Sequence, residues 1–200
     1  MTVMAFGDWA NNAELIEDCA RVGYLRPDWH TLDPTYGQGT FWKAWQPTRL
    51  LACDLDVARS PVGFPVDFTD LPFRDEAFDA VVFDPPYKLN GTPDPAADLR
   101  YGTQLPTRWQ DRMALIRRGL EECSRVLGAG YLLVKCQDQV CSGKVRWQTD
   151  MVTEHLRRLG LGKVDRFDYP SYRPQPAGRR QVHAARNTSQ MLVFKRGYAS

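Results

Sequence analysis

Short uninterrupted apolar runs alternate along the chain with longer stretches in which apolar residues recur every three or four positions. The first pattern marks strands buried on both faces, the second amphipathic helices. Helical spacing predicts helices over 9–22 (Leu15, Ile16, Cys19, Ala20, Val22), 108–127 (Met113, Leu115, Ile116, Leu120, Cys123, Val126, Leu127) and 148–159, with a shorter helical piece over 41–45. Gly128 and Gly130 are read as the stop of the second helix and Gly160 as that of the third. Strands are predicted at 29–33, 50–53, 63–67, 78–83, 131–134, 163–169 and 190–195; the pattern is weakest at 63–67 and clearest at 78–83. Alternating strands and helices predict an α/β domain whose parallel sheet is covered on both faces.

Composition narrows the class. A chain of 200 residues at 43% hydrophobic fits one domain, 1–200, with no second domain required. No apolar run of membrane-spanning length occurs and no charged-then-apolar leader opens the chain, so a soluble, unexported, cytoplasmic protein without membrane partners is expected. The five cysteines form no CxxC pair and no histidine cluster accompanies them, which predicts reduced thiols and neither a disulfide framework nor a metal site. The net charge of +2 conceals an imbalance: residues 142–200 carry 12 Lys and Arg against 4 Asp and Glu, leaving 14 against 20 upstream. A basic final third fits a polyanion-facing surface or a solvated basic face.

The chemistry concentrates where the clearest strand ends. Ala80-Val81-Val82-Phe83 runs into Asp84-Pro85-Pro86-Tyr87. Each proline removes a backbone donor and fixes φ, so the ladder stops on a rigid ledge. The ledge offers a carboxylate (Asp84), a carbonyl (Pro85) and a flat ring (Tyr87). A planar group bearing an exocyclic amine fits it: the two acceptors take the amine hydrogens and the ring stacks on its face. Phe83, within the strand, is read as core.

Upstream, Asp33-Pro34-Thr35-Tyr36-Gly37-Gln38-Gly39-Thr40 sits where the first strand turns, and its two glycines let the backbone approach a ligand closely. Phosphate cradling is a rival reading, but a GxGxxG fingerprint fails because position 42 is Trp, and no Gly-Lys-Ser/Thr follows. Asp54 ends the second apolar run, where a carboxylate can accept both hydroxyls of a ribose; Asp56 competes for that role. Asp67-Phe68 follows the third predicted strand, and Asp67 could also cap a turn.

Together, the Gly-rich segment and the Asp-Pro-Pro-Tyr step resemble the amino-methyltransferases, which use S-adenosylmethionine to methylate adenine N6 or cytosine N4. The resemblance covers about residues 29–88 and the rest by architecture. It implies a Rossmann-like, doubly wound, mostly parallel seven-stranded sheet with an antiparallel last strand. It also implies S-adenosylmethionine as cofactor, with Asp33, Pro34, Gly37, Gly39 and Thr40 along its methionine moiety. Asp54 would lie on the ribose, and Asp67 and Phe68 at the adenine. Asp84, Pro85, Pro86 and Tyr87 become the catalytic step. Three segments should share the substrate edge: 88–106, 137–148 and 170–189. They contain Lys88, Arg173, Arg179, Arg180 and Arg186, suited to nucleic acid, together with Tyr172, His183 and Trp147; Trp109 lies nearby. His183 is read as a polar loop residue.

The expectation is N6-adenine methylation of DNA, ahead of RNA. Cytosine N4, a protein glutamine and a small planar amine remain alternatives, as does a degenerate nucleic-acid-binding subunit. No separate target-recognition domain is expected, which would leave specificity low or supplied by a partner or a dimer.

Overall fold

The computed structural model describes residues 2–89, 108–170 and 182–198. Its main sheet has six strands: β1 (His30–Asp33), β2 (Arg49–Ala52), β3 (Phe78–Phe83), β4 (Leu127–Cys136), β7 (Leu161–Pro170) and β8 (Thr188–Arg196). They lie in the order β2-β1-β3-β4-β8-β7. β1 pairs in parallel with β2 and β3, and β3 with β4, whereas β8 inserts antiparallel between β4 and β7. A separate hairpin joins β5 (Gln139–Cys141) to β6 (Lys144–Arg146).

Burial on both faces explains the continuous apolar strands. Along β3, Val81 and Phe83 face one core, Ala80 and Val82 the other. The first core is closed by α2 (Trp109–Val126) and α3 (Gln148–Arg158) through Ile116, Leu120, Cys123, Val152 and Leu156. The second is closed by α1 (Asn12–Arg21) and a 3-10 turn over Thr40–Trp42, through Leu15, Ile16, Cys19, Phe41 and Trp42. Asn11 starts α1 by accepting hydrogen bonds from the Ala13 and Glu14 N–H groups. Roughly 2 kcal/mol per fully buried large aliphatic side chain makes these two interfaces the main source of stability. All five cysteines are buried and unpaired. No helix among the described residues is long and apolar enough to cross a membrane.

Three expectations need correction. Residues 63–67 form no strand, so among the described residues the sheet has six strands where seven are expected. Val66 is buried and its N–H bonds to Asp54 O at 2.9 Å, but Pro65 has no N–H and Gly63 sits at φ +78°, so no ladder continues. The helical piece at 41–45 is only the 3-10 turn Thr40–Trp42.

Gly128 and Gly130 lie inside β4 and do not end α2. The helix stops at Val126 and runs straight into the strand. There the register with β3 shifts between Phe78 and Ala80, and a Cβ on Gly130 would come 1.9 Å from the Asp79 carbonyl oxygen. Glycine at that position is required by close approach of two strands.

Candidate active site

The chain leaves β1 toward β2 on one side and, after β3, toward β4 on the other. The carboxyl edge between β1 and β3 is therefore the switch point at which doubly wound sheets bind ligands. β1 ends there with Asp33 and β3 with Phe83, followed by Asp84.

The two sequence motifs meet directly. The Asp84 N–H donates to Thr35 Oγ1 at 2.9 Å, locking the start of the Pro-Pro ledge to the glycine turn. Asp84 Oδ1 is buried and has no hydrogen-bond partner among the described residues. Burial pushes the Asp84 carboxyl up to about 6, and the charge of Lys135 draws it back down. Pro85 is buried, while Pro86 and Tyr87 are half-buried.

Asp33 points into its own turn. Its Oδ1 accepts from the Thr35 N–H at 2.9 Å and its Oδ2 from Trp42 Nε1 at 2.7 Å. Burial raises its pKa to about 7 despite these bonds, and the Asp84 charge adds to the rise. Pro34 is buried beside it, and Thr40 is exposed where the 3-10 turn begins. Gly37 (φ +57°) and Gly39 (φ +64°) adopt left-handed conformations, and a Cβ on Gly39 would meet Tyr36 Oη at 2.5 Å.

A phosphate cradle needs loop N–H groups aimed outward. Here the Gly37 N–H donates to Asp54 Oδ2 at 2.8 Å, Tyr36 N–H to Cys53 O at 3.1 Å and Gly39 N–H to Tyr36 O at 2.9 Å. With those donors used internally and a carboxylate beneath the loop, the geometry disfavours phosphate.

Asp54 Oδ1 also accepts the Asp56 N–H at 2.9 Å, which leaves each oxygen capacity for a second hydrogen bond. Asp56 itself caps a 3-10 turn through the Ala58 N–H. Asp67 is exposed, and its Oδ1 closes a local turn onto Thr69 N–H and Oγ1, both at 2.8 Å. Phe68 packs edge-on against Phe83 with centroids 5.3 Å apart, in space that Gly119 leaves open on α2. Arg125 holds the following turn by donating to the carbonyls of Leu71 and Phe73, with Glu122 beside it.

Two groups at this edge escape a motif-based reading. Lys135 is 1% exposed on β4. Its ammonium donates to Asn12 Oδ1 and lies 4.8 Å from the Tyr169 ring centre and 5.7 Å from that of Phe41. Burial lowers its pKa while Asp84 opposes the drop. The signal was a lysine within the apolar run Tyr131–Cys136.

The second group is a set of buried glutamines. Gln139 and Gln148 both donate to the Tyr87 carbonyl, at 2.6 and 3.1 Å, and Gln139 Oε1 accepts from the Leu89 N–H at 3.0 Å. Gln148 Oε1 in turn accepts from the Gln137 N–H at 3.0 Å.

Lys88 is exposed, with its carbonyl bonded by Arg112. Arg186 stacks on Trp147, guanidinium to ring centre 4.5 Å. Arg173, Arg179, Arg180 and Tyr172 lie outside the described residues, as does most of the segment 88–106. His183 Nε2 is 2.9 Å from Gly143 O, a contact in the loop.

No protein-family model matches the chain, and no curated protein matches it. Solved structures do. A candidate RNA methyltransferase from Pyrococcus horikoshii superposes with TM-score 0.59 at 12% identity, over 92% of this chain and 83% of that one. A candidate methyltransferase from Bacillus halodurans gives 0.58 at 13%, over 92% and 100%. The chain has a methyltransferase fold. A looser likeness, TM-score 0.43 at 16% identity, links 64% of this chain to a candidate DNA modification methylase from Thermus thermophilus, of which it spans 48%. Likeness at these identities fixes the fold and not the reaction, which has to be argued from the site.

Proposed function

We propose that the protein is an S-adenosylmethionine-dependent methyltransferase acting on the exocyclic amine of a nucleobase, adenine N6 in DNA ahead of RNA. The observation that carries the reading is Asp84: a buried carboxylate oxygen with no partner among the described residues, at the switch point, tied through its own N–H to the glycine turn. A buried acceptor of this kind is costly unless a ligand satisfies it.

The residues fit the cofactor. Gly37 and Gly39 keep the turn clear of side chains, Asp54 presents lone pairs for ribose hydroxyls, and Asp67 and Phe68 border the place for its adenine. Asp33 and Pro34 shape the turn, and Thr40 opens the short helix behind it. When bound, S-adenosylmethionine supplies an electrophilic methyl on sulfonium sulfur.

The remaining work belongs to the ledge. An aromatic amine is a weak nucleophile because its lone pair is delocalised. Asp84 and the Pro85 carbonyl accept its two hydrogens, which pulls the nitrogen toward tetrahedral geometry, and Pro86 holds the ledge rigid. Tyr87 supports the face of the ring and replaces stacking lost by a base taken out of a duplex. Positive charge develops on the nitrogen during transfer, so Asp84 stabilises the transition state more than the ground state. With a pKa near 6, Asp84 is ionised at neutral pH and is placed to take the surplus proton. Lys88 and Arg173, Arg179, Arg180 and Arg186 are assigned to the nucleic-acid strand.

The test is incubation with labelled cofactor and separate DNA, RNA and protein pools, followed by mass spectrometry of the modified nucleosides, beside calorimetry of cofactor binding. N6-methyladenine in the DNA pool is expected. Modification confined to protein would overturn the substrate assignment, and a chain that binds no cofactor would be a degenerate subunit.

A further inference from the structure

The β5–β6 hairpin and the junction into α3 carry a ladder of alternating guanidinium and indole groups. Ser142 and Gly143, at φ +52° and +71°, form the tight turn that brings β6 back toward the edge. The Arg146 guanidinium lies 3.8 Å from the ring centre of Trp109 at the start of α2. The next residue, Trp147, receives the Arg186 guanidinium at 4.5 Å. Trp147 nevertheless stays 47% exposed.

Neither arginine makes an ion pair among the described residues, and the Nε of each is buried without a hydrogen-bond partner. Of the carboxylates near in sequence, Asp138 is engaged by the Thr149 N–H and hydroxyl at 2.9 Å, and Asp150, four residues beyond Arg146, is exposed in the first turn of α3. Lys144 adds an exposed cation at the hairpin turn. Flat guanidiniums held over rings, in no ion pair among the described residues, suit phosphates, and an exposed indole suits an unstacked base.

The ladder is also fixed relative to the Asp-Pro-Pro-Tyr ledge. The Tyr87 carbonyl is gripped by Gln139, which opens β5, and by Gln148, which follows Trp147. The Arg186 carbonyl accepts from Gln137 Nε2 at 2.5 Å. One buried glutamine lattice thus joins the ledge to both arginine–tryptophan stacks.

We propose that Lys144, Arg146, Trp147 and Arg186 form the seat for an unpaired nucleic-acid strand flanking the target base. The proposal rests on the nucleobase reading above and adds the strand-binding surface, half of which lies on a hairpin. Fluorescence anisotropy with a labelled single-stranded oligonucleotide tests it across a salt series. Arg146→Gln with Arg186→Gln should weaken binding roughly tenfold at low salt and flatten the log–log salt slope by about 1.4, and Lys144→Gln by about 0.7. Trp147→Ala should weaken binding by roughly 5- to 150-fold, the loss expected for one base–aromatic stack. A duplex of the same sequence should bind more weakly.

Unchanged affinity and slope in these variants, while wild type binds and methylates nucleic acid, would overturn the seat and leave the nucleobase reading standing. A wild type that binds cofactor but no oligonucleotide would overturn both. Competition by polyglutamate as effective as the oligonucleotide would reassign the surface to acidic protein.

Discussion

Asp84 is held by its backbone to one motif and by electrostatics to Lys135, so its carboxylate is poised by groups outside its own tetrapeptide. Asp84→Ala should keep cofactor affinity, measured by calorimetry, and lower the single-turnover transfer rate by about 10²–10³. Undiminished transfer would refute the role. Its titration yields a second, independent expectation. Because the folded-state pKa of about 6 exceeds the ordinary 3.8, the protonated form favours folding. That stability is complete below the ordinary value and is lost as pH rises through the folded one, at about 1.4 kcal/mol for each tenfold difference in proton affinity between the folded and unfolded chain. Transfer runs the opposite way, rising as the carboxylate ionises through about pH 6. Asp84→Asn should therefore flatten the fall of the thermal midpoint across this window, which a melting series checks.

At the scale of elements, the glutamine lattice and the β3–β4 contact make separate predictions. Gln148→Ala strips one donor from the Tyr87 carbonyl and leaves the buried Gln137 N–H unpaired. A loss of about 1–3 kcal/mol in denaturant unfolding is expected, together with slower transfer because the Tyr87 ring loses its fixed position. Gly130→Ala would drive a methyl group against the Asp79 carbonyl. It should cost about 1–3 kcal/mol or more through strand displacement.

Strand β3 was legible to the residue, because burial on both faces writes an unbroken apolar run that prolines then terminate. The apolar pattern marks only the later part of strand β4, since its glycines carry the same letter as a helix stop and only the neighbouring carbonyl reveals their purpose. The hairpin had a local sign in Ser142-Gly143, yet its strands of three residues each are too short for alternation to show. The glutamines are invisible as a set because the carbonyls of Tyr87 and Arg186 that they hold lie 49 to 61 residues away in sequence.

For the whole molecule, the sheet order places β8 beside β4, and Arg186, shortly before β8, lies over Trp147 where α3 begins. The fold hides every thiol, and burial pushes those of Cys19, Cys53, Cys123 and Cys136 well above their ordinary pKa. Alkylating reagents attack thiolates that water can reach. Iodoacetamide added to the native protein should therefore mark each site only as often as the structure around it opens. Mass spectrometry should find Cys141, in the small cluster under the hairpin, modified first and the other four later as a group. The chain thus carries its own clock for breathing at the substrate edge, readable without any introduced label.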